Sequence, residues 1–129
     1  MFVATDHNDV DFFSPLADHY DVVYLSSFKK ELEGINIHFY GMIDQLIASR
    51  GRVFFGCYQS TFSGFIFRMR GYHAQKQRMQ GYENGTLLNS FYYSGLAHKY
   101  YYQQYSPIHP PHYVREWSVS WRDIDKGIA

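Results

Sequence analysis

The sequence is poor in the features that mark many protein classes. One cysteine in 129 residues excludes an internal disulfide framework and a cysteine-built zinc site. There is no surplus charge: 12 basic and 12 acidic side chains cancel, whereas a polyanion binder needs a basic excess to neutralise phosphates. No apolar run approaches the roughly 18 residues a spanning helix requires. The N-terminus carries neither a basic leader nor a hydrophobic signal segment, because Met1-Phe2-Val3-Ala4-Thr5 enters a strand-like run at once. The expectation is therefore either a cytoplasmic protein or, preferably, part of a longer chain. No internal repeat is visible.

What the chain has is aromatic mass: 11 Phe, 13 Tyr and 2 Trp, 20% of all residues, within a hydrophobic fraction of 46%. That composition excludes disorder, and the length suffices for one ordinary domain with a real core. Phe2–Ala4 reads as a short buried strand. Asn8 and Asp9 can cap a short helical stretch from Val10 to Ala17, limited by Pro15. Val22–Leu25 is a second apolar strand, and residues 28–38 are a loop or short helix punctuated by Gly34. Phe39, Met42, Ile43, Leu46 and Ile47 follow helical spacing, with Gly51 as the stop. Val53-Phe54-Phe55 is a third strand closed by Gly56. A second amphipathic helix starts near Thr61, with Phe62, Phe65, Ile66 and Met69 on one side and Gly71 after it.

Strands and helices thus alternate over residues 1–72, the α/β pattern, and the apolar strands imply a parallel sheet covered on both faces. Residues 73–129 are Gln-, Tyr- and His-rich with Pro107, Pro110 and Pro111. They read as an irregular, aromatic-rich tail that wraps the sheet. Three parallel strands make a poor independent sheet, so the single domain of residues 1–129 reads as incomplete.

The segment from Val53 to Gly64 carries the most chemistry. In an open α/β sheet, ligands sit outside the carboxyl ends of the strands, where a helix N-terminus offers free N–H groups and partial positive charge to a phosphate. Ser60 and Thr61 add two hydroxyls. The plainer reading, a helix cap, accounts for the same residues and contributes ~0.5–2 kcal/mol; local pattern alone favours it. Asp44, in the first turn of the preceding helix, could line the same crevice. A carboxylate accepts two N–H bonds from guanine, which offers N1–H and N2–H, but not from adenine. An acidic residue in a first turn is also favoured by ~0.3–1 kcal/mol on electrostatic grounds alone, and by itself that reading wins.

Other features weigh less. His98, His109 and His112 are irregularly spaced among prolines, so they read as surface or packing residues, not metal ligands. Cys57 lacks a local His/Asp arrangement and reads as a structural thiol. Asn84-Gly85-Thr86 matches a glycosylation sequon, a tripeptide common by chance. The run Tyr100–Tyr102 with Tyr105 suits packing across the sheet better than sugar stacking.

Taken in order, Val3-Ala4-Thr5-Asp6, Ile43-Asp44-Gln45, Phe54-Phe55-Gly56, Ser60-Thr61-Phe62-Ser63, Arg68-Met69-Arg70-Gly71-Tyr72-His73 and Trp121-Arg122-Asp123 resemble the C-terminal region of GDP-fucose protein O-fucosyltransferases. The resemblance implies a partial Rossmann-like domain, the last part of the donor-binding half of a GT-B glycosyltransferase. It implies that Asp44 pairs with guanine, while Ser60, Thr61 and Phe62 hold the diphosphate and pack near the base. No metal or other cofactor is implied; GDP-fucose is the donor, and the acceptor is a protein or glycan hydroxyl. The implied setting is the lumen of the endoplasmic reticulum or Golgi, where Asn84 could be glycosylated. The family's activating arginine lies in a His-x-Arg motif. None of the seven histidines here is followed two residues later by Arg. The catalytic residues are therefore unassigned, and the chain alone is expected to hold half a donor site beside a missing N-terminal domain. The alternatives are an inactive nucleotide-sugar-binding remnant or a carbohydrate-recognition module without catalysis.

Overall fold

Short apolar runs separated by polar turns give short elements here, and only the Thr61 helix grows long. A computed structural model describes residues 1–57, 60–84, 87–94 and 101–104. Its elements are helices α1 (Ser14–Ala17), α2 (Tyr40–Arg50) and α3 (Thr61–Gln77), and strands β1 (Phe54–Cys57), β2 (Ser90–Ser94) and β3 (Tyr101–Gln104). The chain divides into two units, Met1–Ala48 and Ser49–Ala129.

In the first unit the two apolar segments expected as strands do meet in parallel, but as a single bridge between Phe2 and Val23. The Val3 N–H donates to the Val23 carbonyl at 2.9 Å and the Val23 N–H to that of Met1 at 2.8 Å. The ladder stops there because Leu25–Ser27 turns into a 3-10 helix, whose Ser27 hydroxyl takes the Tyr24 N–H at 3.2 Å. The connection contains the helical segment a parallel crossover needs. Asp9 caps it by accepting the Asp11 N–H at 3.0 Å, a 3-10 turn covers Val10–Phe13, and Pro15 sits in the first turn of α1. Phe13 links this segment to Tyr24, with ring centroids 6.2 Å apart. Among the described residues of the unit, Leu25 and Leu32 are the buried apolar ones. Gly34 adopts φ +80°, a conformation that costs glycine nothing.

Helix α2 begins behind a 3-10 turn, Ile37–Phe39, where Asn36 caps His38. The expected helix is present, but its expected face is not covered: Phe39, Met42 and Leu46 remain about half exposed, at 52%, 49% and 55%. Periodicity finds the helix; what lies on its apolar stripe is a tertiary matter, and this unit's partners are one bridge and short turns.

The second unit is a β-α-β arrangement with one added strand. β1 pairs in parallel with β2, Phe54 opposite Ser90 and Cys57 opposite Tyr93, and β3 pairs with β2 antiparallel, giving the order β1-β2-β3. Strand alternation puts Phe54 against α3, its ring 5.0 Å from that of Phe67, and Phe55 on the other face, stacked on Phe91 at 5.0 Å. The core gathers Phe67, Ala74 and Leu87, with Phe54, Tyr72 and Tyr82 packed around them.

Two expectations are corrected here. Helix α3 does not stop at Gly71 but runs to Gln77 and ends on Arg78 in the left-handed region. Its buried side comprises Ser63, Gly64, Ile66, Phe67, Gly71 and Ala74, while Phe65 is exposed. The cause is close approach to the strand. A Cβ on Gly56 would lie 2.8 Å from Ser63 Cβ, so small residues must face β1, and Gly71 lies inside a helix whose packing tolerates it. The second correction concerns the segment expected to wrap the sheet: residues 73–77 belong to α3, and 90–94 and 101–104 are strands that extend the sheet. His98, Tyr105, His109, His112 and Trp121-Arg122-Asp123 lie outside the described residues. The architecture is mixed α/β around a parallel β1–β2 pair.

Candidate functional site

The turn from β1 into α3 is held by a closed circuit of hydrogen bonds. The Cys57 N–H donates to Ser63 Oγ at 2.9 Å, the Ser63 N–H to Ser60 Oγ at 3.2 Å, and the Ser60 N–H to the Cys57 carbonyl at 3.2 Å. Ser60 is thus the N-cap of α3, and its carbonyl takes the Gly64 N–H at 3.0 Å as the first helical bond. The cap and the anion reading are compatible. An oxygen that accepts from Ser63 keeps its own hydroxyl hydrogen to donate. The first-turn N–H groups of a helix point outward with partial positive charge. Ser60 and Phe62 are half-buried and Thr61 is exposed, so the structure brings these three together at one helix end, with no acidic residue in that first turn.

Asp44 belongs to the first unit and is described separately. It lies in the second turn of α2, not the first, because the preceding 3-10 turn sets the helix start at Tyr40. Stabilisation by the helix N-terminus, which fades beyond the first turn, therefore does not account for it. Its Oδ1 is buried with no hydrogen-bond partner among the described residues, and burial raises its pKa above the ordinary carboxylate value. A half-buried carboxylate with an unsatisfied oxygen is costly unless a donor arrives.

Arg70 has a structural role that its place in the sequence does not announce. Its Nε donates to Ser90 Oγ at 2.7 Å, Nη1 to the Ser49 and Gly51 carbonyls at 3.2 and 2.6 Å, and Nη2 to the Asn89 carbonyl at 3.2 Å. It ties the backbone at Ser49 and Gly51 to α3 and the start of β2. The visible signal was a basic residue three positions after Phe67, on the half-buried side of the helix. Burial alone lowers its pKa. His73, one turn further on, is likewise held below the ordinary histidine value by burial first, and then by the charges of Arg50, Lys76 and Arg70.

Cys57 is exposed, and its backbone N–H and carbonyl are the parts the turn uses. Among the described residues no cluster of three His, Cys, Asp or Glu side chains is placed to hold a metal ion. No helix among them is long and apolar enough to cross a membrane.

Residues 1–73 match the model of the family described as GDP-fucose protein O-fucosyltransferase. The chain belongs to that family. Comparison with curated proteins and with solved structures gives no match. The O-fucosyltransferase match runs through the Phe2–Val23 bridge, α2 with Asp44, β1, and α3 as far as His73, so it includes Ser60, Thr61, Phe62 and Arg70. Strands β2 and β3 lie beyond it. Membership makes this a fucosyltransferase-like glycosyltransferase chain.

Proposed function

We propose that this chain is part of the donor-binding half of a fucosyltransferase and binds GDP-fucose. The Asp44 carboxylate accepts the N1–H and N2–H of guanine. Ser60 and Thr61, with the N-terminus of α3, donate to the diphosphate, and Phe62 packs near the base. In the complete enzyme, a Rossmann-like donor domain would face a second domain in the GT-B manner, in the lumen of the secretory pathway. An acceptor hydroxyl of a protein or glycan attacks fucose C1, the bond from C1 to the diphosphate oxygen breaks, and GDP leaves with the negative charge. The hydroxyl proton passes to a base outside these 129 residues. Donors at a helix N-terminus help most where that charge develops. The arginine of the family's His-x-Arg motif is also not among these residues, so donor binding, not turnover, is the activity assigned to the chain.

The observation that carries the reading is the buried Asp44 Oδ1, without a hydrogen-bond partner among the described residues, inside a segment matched to a family whose description names a guanine nucleotide sugar. Calorimetry with GDP, ADP and the Asp44→Ala variant tests it. GDP should bind, ADP should bind more weakly, and Asp44→Ala should remove the difference. Equal binding of GDP and ADP would sink it.

A further inference from the structure

Each member of the circuit at the β1–α3 turn serves two of its three bonds, and Ser63 is the buried one. Ser63 receives the Cys57 N–H on its hydroxyl at 2.9 Å and gives its own N–H to Ser60 Oγ at 3.2 Å. It is buried, at 6% exposure, and its Cβ lies 2.8 Å from where a Cβ on Gly56 would stand. A residue that deep inside the turn cannot meet the donor. It can only determine where Ser60 and Thr61 stand relative to the end of β1. We infer that Ser63 is a positioning residue for the diphosphate-binding turn: its hydroxyl clamps the strand end to the helix start, and its N–H turns the Ser60 hydroxyl into a donor aimed away from the helix.

The inference rests on the proposed GDP-fucose reading and adds to it. Gly56 is part of the same device, since no other residue leaves room for Ser63 beneath the strand. Without the Ser63 hydroxyl, the Cys57 N–H loses its acceptor and the turn is held by two bonds instead of three. Donors displaced from a charged group lose much of their effect, while contacts to the base at Asp44 do not depend on this turn.

The test compares GDP with guanosine, which lacks the diphosphate, on the full chain and on Ser63→Ala. Ser63→Ala should weaken GDP about tenfold, the equivalent of one hydrogen bond lost, and leave guanosine affinity unchanged. Equal loss for both ligands, or no loss for either, overturns the positioning role while the donor-site reading stands. A wild-type chain that binds GDP no better than guanosine overturns the donor-site reading and this inference with it. A second measurement needs no variant: in the wild-type chain, GDP should slow hydrogen exchange at the Cys57 amide and guanosine should not. Equal effects of the two ligands, or none, refute the inference even if Ser63→Ala does not fold.

Discussion

Arg70 offers the sharpest stability test, because its contacts allow a magnitude to be worked out. The guanidinium makes four hydrogen bonds to neutral oxygens, of which those to Gly51 and Ser90 are the shortest, at 2.6 and 2.7 Å. The other two, at 3.2 Å, are weaker. One of these meets the Asn89 carbonyl, which also accepts the Phe54 N–H at 2.9 Å, so Arg70 sits where the β1–β2 pairing starts. Hydrogen bonds to charged groups contribute about 1.5–3 kcal/mol each. Counting only the two short ones at the low end, and letting the long pair offset the cost of desolvating the charge, gives about 3 kcal/mol. Against a total stability on the order of 5–15 kcal/mol, Arg70→Met should be the most damaging single change to a charged residue. Arg70→Lys should recover less than half of the loss, since an ammonium has no planar fork to span Ser90 on one side and Gly51 on the other. Urea unfolding followed by circular dichroism measures both. A midpoint shift in Arg70→Met equivalent to less than about 0.5 kcal/mol at unchanged slope would refute the claim that Arg70 ties the backbone at Ser49 and Gly51 to α3 and the start of β2.

Other consequences follow from single groups. Gly56→Ala should destabilise by about 1–3 kcal/mol, because the new Cβ would sit 2.8 Å from both Ser63 Cβ and Oγ and 2.9 Å from Phe54 Cε1; an unchanged melting temperature would contradict the close strand–helix contact. His73 has a folded pKa below the ordinary histidine value of 6.5, so the unfolded chain takes up the proton first as pH falls. Its contribution is intact above pH 6.5 and is lost as pH drops from there through the depressed folded value. His73→Gln should flatten that part of the stability–pH curve, and superimposable curves would refute it. Asp44 is shifted upward, so the folded chain gains stability as pH falls through its raised pKa. Asp44→Asn should accordingly melt no lower than wild type at neutral pH, yet bind GDP no better than ADP. A large drop in melting temperature would mean that the carboxylate has a structural partner.

The parts of this fold that were legible in the sequence are those set by local chemistry. Ser60 and Asp9 cap helices because a short side-chain oxygen before an apolar run can satisfy orphan N–H groups, and both do so. Helix α2 and strand β1 follow from spacing and β-prone residues, within a residue or two. The misses are tertiary. Strands β2 and β3 are built from Ser-Phe-Tyr-Tyr-Ser and Tyr-Tyr-Gln-Gln, and their Tyr and Gln content, without aliphatic residues, hid segments whose aromatic side chains nonetheless favour a pleated surface. Gly71 reads as a stop because glycine ends many helices, but here it lies on the buried side of α3, which continues to Gln77. The register of the α3 face could not be read, since Ser63 and Gly64 displace Phe65 only once the approach of Gly56 is known. Of the candidate site, the grouping of Ser60, Thr61 and Phe62 was legible. The helical spacing puts Asp44 in the first turn because the 3-10 turn before Tyr40 is not visible in the sequence, and the helix end does not stabilise it.

The central proposal is that the chain binds GDP, with Asp44 reading guanine and the N-terminus of α3 holding the diphosphate. The most direct measurement is an amide NMR titration of the chain with GDP. The account predicts that the Thr61, Phe62 and Ser63 amides and those flanking Asp44 shift together along one binding curve, and that ADP does not move the Asp44 neighbours. Shifts confined to one of the two places, or identical shifts with ADP, would contradict it.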